Sequence, residues 1–168
     1  NRLYRAAKRR SARDVRFFCM TERADDLDPA IERLPLLEAP YEARMRAALA
    51  TAPKQGALRK IAMFRPDLVP DLDGPMLALD IDIVITGALD DLADFAPGKV
   101  AMRRPFSPRV DPPTHGEGSV IKFEPAAHAF LYEDMASDPE GAVLDCRGSE
   151  QTYTSTAAYR RGLFEAFP

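Results

Sequence analysis

Residues 75–79, Pro75-Met76-Leu77-Ala78-Leu79, form an unbroken apolar run that ends in two acids, Asp80 and Asp82, on either side of Ile81. An apolar run without polar alternation suits a strand covered on both faces, and such a strand needs helices packed against its sheet. The run resumes as Ile83-Val84-Ile85-Thr86, after which Gly87 turns the chain into a short helix over residues 89–94. Side chains two apart on a strand share a face, so Asp80 and Asp82 are expected to project together while Ile81 packs on the other side. Two carboxylates held so close repel, and the apolar run beside them worsens their solvation. A hard divalent cation, Mg²⁺ or Mn²⁺, relieves that repulsion and can bridge to phosphate oxygens of a ligand. The ordinary alternative is a pair of surface acids on a strand-to-loop turn, because two acids at this spacing arise often by chance. Asp90 and Asp91 open a helix, where acids favour the positive end of the dipole, and are read as structural.

The rest of the chain alternates strands and helices. Residues 2–12 read as an amphipathic helix, 15–20 as a buried strand, and 31–36 as a second strand ending at Pro35. Helical patterns follow at 41–50 and 57–64, the latter stopping before Pro66 because a residue preceding proline resists helical geometry. Further strands are expected at 99–102 and 119–123, separated by a proline-rich loop over 105–118, with helices at about 126–136 and 149–161. This alternation predicts an α/β fold with a mixed central sheet flanked by helices. With 168 residues, 46% of them apolar, the chain has enough apolar side chains for one core, and a single domain over residues 1–168 is expected. It opens at Asn1 directly into a helix and stops at Pro168 just after one, so the domain reads as truncated at both ends.

Net charge is -3, which argues against general attraction to nucleic acid. Yet Arg2, Arg5, Lys8, Arg9, Arg10, Arg13 and Arg16 crowd the first segment, opposed only by Asp14. A solvated helix face with Leu3, Tyr4, Ala6 and Ala7 turned inward is the favoured reading. Its rival is a peripheral anchor on anionic lipid. Cys19 and Cys146 lie far apart without metal-ligand spacing, so a reduced, cytoplasmic setting is expected, at the inner face of the membrane if the anchor is real.

Against this background, Leu77-Ala78-Leu79-Asp80-Ile81-Asp82-Ile83-Val84-Ile85-Thr86-Gly87 resembles the metal-binding segment of bacterial GT-A-fold glycosyltransferases, in particular those related to glycosyltransferase family eight. Leu58-Arg59-Lys60-Ile61-Ala62-Met63-Phe64-Arg65-Pro66 is similar to the helix that carries a basic residue toward the donor in these enzymes. Arg16-Phe17-Phe18-Cys19-Met20-Thr21 is similar to their second strand, Gly118-Ser119-Val120-Ile121-Lys122-Phe123 to the strand lining the sugar pocket, and Gly148-Ser149-Glu150-Gln151 to the acidic-Gln motif beside the donor sugar. The resemblance implies a GT-A-like, Rossmann-like sheet and a metal-dependent transfer of a sugar from a nucleoside diphosphate-sugar to a hydroxyl, with retained configuration. The acceptor would be a glycan, a lipid-linked saccharide or a protein hydroxyl. Asp80 and Asp82 would hold Mn²⁺ or Mg²⁺ on the diphosphate, where the ion neutralises charge on the leaving group. Lys60 would add a point charge near the diphosphate or sugar, with Arg59, Glu117 and Ser119 as further substrate contacts. Apart from the resemblance, Arg103 and Arg104 leave a strand near the pocket, where they read equally as contacts to phosphates or an acidic acceptor and as snorkelling edge residues. Glu150 and Gln151, assigned as catalytic, would orient the sugar hydroxyls.

This sequence departs from the pattern in two places. Glu117-Gly118-Ser119 stands where relatives carry Asn-Ser-Ser or Asn-Ser-Gly, so an acceptor-only carboxylate replaces an amide. Glu150 stands where Asp is more common, which lengthens the reach of the carboxylate. A late His that often completes the metal site would fall beyond Pro168. His115 sits in the proline-rich loop and reads as exposed, and His128 reads as facing the surface of its helix. The rival enzymatic reading is a haloacid-dehalogenase-like phosphatase with Asp80 as nucleophile. The rival from another class is a non-catalytic nucleotide-sugar-binding or scaffold domain of the same fold.

Overall fold

A computed structural model describes residues 1–36, 38–69, 72, 74–106 and 113–168. In chain order the elements are α1 (Arg2–Arg10), β1 (Phe17–Met20), β2 (Ile31–Leu34), α2 (Glu42–Leu49), a 3-10 helix (Leu58–Phe64), β3 (Met76–Leu79), α3 (Asp90–Asp94), β4 (Val100–Arg103), β5 (Glu117–Phe123), α4 (Pro125–His128), α5 (Phe130–Ser137), α6 (Pro139–Asp145), α7 (Glu150–Arg160) and β6 (Phe164–Ala166). The strands form a parallel pair, β1-β2, and a four-stranded mixed sheet in the order β3-β5-β4-β6. Within the larger sheet β5 runs antiparallel to both β3 and β4, while β4 and β6 are parallel. The expected class, a mixed sheet flanked by helices, is the one observed.

The core lies between this sheet and the helices α5, α6 and α7 together with the 3-10 helix. Phe64 and Phe123 are both fully buried and meet edge to face at 4.6 Å, tying the 3-10 helix to the central strand. Leu131, Met135, Val143 and Ala158 complete the helical side, each with no exposed surface. Tyr153 on α7 donates its hydroxyl to the Leu131 carbonyl at 2.8 Å, so the buried phenol is satisfied within the core. Lys122 is 1% exposed, yet its ammonium reaches the carbonyls of Ala96 and Lys99 and the Glu124 carboxylate. A cation can be buried there because oxygen ligands surround it.

Several expectations need correction. The apolar run after the acids is not a strand: β3 ends at Leu79, Asp80–Asp82 form a turn and residues 83–86 are irregular. Ile81, expected to pack, is 89% exposed, and Val84 is 84% exposed. Apolar periodicity without a neighbouring strand to receive its backbone hydrogen bonds does not make a strand. The argument that Asp80 and Asp82 share a strand face therefore lapses, because Asp82 lies in the turn. Residues 58–64 wind as a 3-10 helix instead of an α-helix. Residues 126–136 divide at Ala129 into α4 and α5. The helix α6 and the strand β6 were not anticipated. His128 is fully buried instead of facing the surface, and His115 is half-buried. Part of the proline-rich loop, residues 107–112, lies outside the described residues.

Candidate functional site

Lys60, Asp80, Gly118 and Glu150 come from four separate segments and meet at the end of β3. Lys60 is carried inward by the 3-10 helix, whose Leu58, Ile61 and Phe64 anchor it in the core. Its ammonium lies 2.6 Å from Asp80 Oδ1, donates to the Gly118 carbonyl at 2.5 Å and stands 3.9 Å from Glu150 Oε1. The Asp80 amide in turn donates to the Ser119 carbonyl at 3.0 Å, extending the β3-β5 ladder one step beyond the strand. The Gly118 amide is held by Gln151 Oε1 at 3.2 Å.

An irregular register explains how Gly118 comes to serve this cluster. Along β4, Met102 faces Ile121, but the next residue, Arg103, faces Glu117, so residues 118–120 are skipped. Such a bulge bends the strand and frees backbone groups from the ladder. The freed Gly118 carbonyl and amide then meet Lys60 and Gln151. A Cβ at Gly118 would stand 2.2 Å from Glu150 Oε1, so glycine is required for Glu150 to lie across the strand. On the other side of the bulge Arg103 forms an ion pair with Glu117 and donates to Ser119 Oγ at 3.3 Å. Its guanidinium also stacks over Phe106, 4.3 Å from the ring centre.

Helix α7 delivers Glu150 and Gln151 in its first turn. Its entry is fixed by Gly148, whose φ of +78° puts it in the left-handed region and whose absent Cβ leaves room for the Lys54 carbonyl. Two backbone bonds, Lys54 amide to Arg147 carbonyl and Gly56 amide to Gly148 carbonyl, at 3.1 and 2.9 Å, pin this turn to the segment that leads into the Lys60 helix. The Glu150 side chain is 13% exposed. Burial pushes its carboxyl above the usual range, Lys60 and the Gln151 backbone pull it back, and the Asp80 charge adds to the rise. The cluster thus holds one carboxylate paired with an ammonium and a second carboxyl that takes up a proton more readily than a free one.

Seven of the residues expected at a site lie in this network: Lys60, Asp80, Ser119, Glu150 and Gln151 around Gly118, with Arg103 and Glu117 beyond the bulge. Two do not. The Arg59 guanidinium turns away to Glu42, an ion pair with a carboxylate whose side chain is 3% exposed, and to Glu22 at 3.6 Å. Asp82 is exposed in the turn. Sequence reasoning passed over the backbone of Gly118 as the junction; the only signal was a glycine within the segment already singled out. Among the described residues no group of three or more His, Cys, Asp or Glu is placed to hold a metal ion. Asp80 has one carboxylate oxygen held by Lys60, and Asp82 is exposed in the turn beyond it, so the pair is not seen converging on one point.

No family model, no curated protein and no solved structure matches the chain. No helix among the described residues is long and apolar enough to cross a membrane.

Proposed function

We propose that this domain is a glycosyltransferase of GT-A type that binds a nucleoside diphosphate-sugar at the Lys60–Asp80–Gly118–Glu150 cluster. The observation that carries the reading is convergence. Four segments, around residues 60, 80, 118 and 150, resemble successive donor-site segments of such enzymes, and Lys60 lies within 3.9 Å of groups from the other three. Chance likeness in short motifs gives no reason for them to meet at one point.

In this reading the Lys60 ammonium orients the diphosphate or the sugar and offsets its charge. Glu150 and Gln151 hold sugar hydroxyls, and Arg103 with Ser119 borders the acceptor side. Asp80 and Asp82 would hold Mn²⁺ or Mg²⁺, which supplies Lewis-acid stabilisation of the diphosphate leaving group when bound. The acceptor is a hydroxyl of a glycan, a lipid-linked saccharide or a protein.

A panel of nucleotide-sugars with Mn²⁺ tests the reading by thermal shift, since a ligand at a hundred times its dissociation constant adds about 2.7 kcal/mol of stability. One donor is expected to raise the melting temperature, and Asp82→Asn to abolish the Mn²⁺-dependent part of that rise without changing the unliganded melting point. No response to any donor, or hydrolysis of a simple phosphate ester through a phosphoaspartate trapped at Asp80, would sink the proposal.

A further inference from the structure

Helix α1 carries five cations and no acid over Arg2–Arg10. At about 100° per residue, Arg2, Arg5, Lys8 and Arg9 fall within an arc of about 120°. All four are exposed, as is Arg10. The opposite face is already used: Ala7 is 5% exposed, and the Tyr4 ring meets Phe17 edge-on at 4.8 Å. Among the described residues none of the five cations has a carboxylate within ion-pair distance, and the polar contact Lys8 makes is to the Tyr4 hydroxyl at 3.4 Å. Their neighbours in sequence differ, for Arg13 pairs with Asp94 and Arg16 with Glu32.

Local helix physics explains only part of this charge. Lys8, Arg9 and Arg10 sit in the last turn, where cations favour the negative end of the dipole. Arg2 and Arg5 stand near the positive end, where they are unfavourable, and no acid of the first turn offsets them. The protein as a whole is acidic, at -3, so this face stands out as a local excess of positive charge.

A second observation chooses the kind of polyanion. The segment after β3 is fastened to the end of α1: the Leu89 amide donates to the Arg10 carbonyl at 2.9 Å, and Asp90 accepts from the Ser11 hydroxyl and the Ala12 amide at 2.7 and 2.8 Å. Upstream of that tether, the connection from β3 presents Ile81 and Val84, 89% and 84% exposed. Exposed cations on α1, and bare aliphatic side chains on the connection tethered to its end, match a layer that is anionic at its surface and apolar beneath, which nucleic acid is not.

We infer that the basic face of α1 docks on an anionic lipid bilayer, with Ile81 and Val84 of the connection tethered to its end as the apolar contact. Because the apolar face of α1 is packed on the protein, the helix stays folded onto its domain and binds from the surface. Ile81 lies between Asp80 and Asp82, so the α1 variant, which leaves that turn intact, is the arm that tests docking apart from donor binding.

Sedimentation with vesicles tests it. The protein is expected to partition onto phosphatidylglycerol-containing vesicles at low salt, to ignore neutral phosphatidylcholine vesicles, and to be released by 0.5 M NaCl, as screening requires. Each cation removed is expected to lower partitioning about five-fold, so Arg5→Gln/Lys8→Gln/Arg9→Gln should lose it about a hundred-fold with an unchanged melting point. Ile81→Ser/Val84→Ser should weaken it severalfold. Equal binding to neutral vesicles, no binding to anionic ones, or full retention in the triple variant overturns the inference. Tighter binding to duplex DNA than to the vesicles, or no effect of the Ile81/Val84 variant, overturns the choice of lipid.

Discussion

Gly118 has no side chain, yet the polar groups of the candidate site meet on its backbone, with Lys60 on its carbonyl and Gln151 on its amide. The space its missing Cβ leaves is taken by the end of the Glu150 side chain. That end is flexible, so Gly118→Ala is expected to displace the carboxylate while the fold survives. The checks are a melting temperature near the wild type and a donor affinity lowered at least ten-fold; an intact affinity would place the donor elsewhere. Lys60 tests the same cluster from the other side. Its side chain is 22% exposed, and Lys60→Ala leaves the Gly118 carbonyl and two carboxyl groups without their cation. A stability loss of about 1–3 kcal/mol is expected, together with a larger loss of donor binding free energy in calorimetry. Losses of equal size would mark Lys60 as purely structural.

At the scale of elements, the entry to α7 decides where Glu150 and Gln151 stand. Gly148 combines a left-handed backbone with a contact to the Lys54 carbonyl that no Cβ can share, and neither partner is a flexible side chain. Gly148→Ala is therefore expected to destabilise the protein by about 1–3 kcal/mol or more, seen as a lowered midpoint in urea with an unchanged slope. A midpoint within error of the wild type would show that the turn tolerates a side chain. Other elements were legible to different degrees. Strand β5 was legible from the apolar Val120, Ile121 and Phe123, whereas α7 buries Tyr153, Ala157 and Ala158 together with the polar Thr154 and Ser155. Helix α6 carried its own signal, Asp138 capping the Gly141 amide at 3.0 Å with Pro139 in the first turn, but its seven residues were too short to show a period. The segment 83–86 looked more like a strand than β6 does, yet among the described residues it pairs with no strand, while Phe164–Ala166 pairs with β4. Pairing is a property of two segments, and a single sequence window contains only one.

For the whole molecule, a buried polar cluster at the far end of β5 sets a pH limit. His128 is fully buried, its Nδ1 lies 2.9 Å from the Glu124 backbone and its Nε2 has no hydrogen-bond partner among the described residues. Burial, the largest influence, lowers its pKa below the ordinary 6.5, and the nearby Lys122 charge lowers it further, against the Glu124 and Gly98 groups that raise it. The unfolded chain then binds the extra proton first. Stability from this source is fully present above pH 6.5 and is lost as pH falls from there toward the folded value. Glu124 is depressed by the Gly98 amide and Lys122, and adds a second loss at pH below 4.5. Thermal unfolding is expected to show a falling melting temperature below pH 6.5 that flattens in His128→Gln. An identical slope in that variant would remove His128 as the cause.

What the amino-acid order settled unaided was the class of fold and the membership of most of the polar cluster, because alternating apolar segments must be covered on both faces and charged residues at their ends need partners. What it left open was decided by contacts between distant segments. The register slip opposite Arg103 put the Gly118 backbone in reach of Lys60. Without a partner strand among the described residues, Ile81 and Val84 turn outward, and the pull of buried Glu42 drew Arg59 away from the cluster. Each of these outcomes balances hydrogen bonds and ion pairs across dozens of residues of sequence, and such balances exist only once the chain has folded on itself.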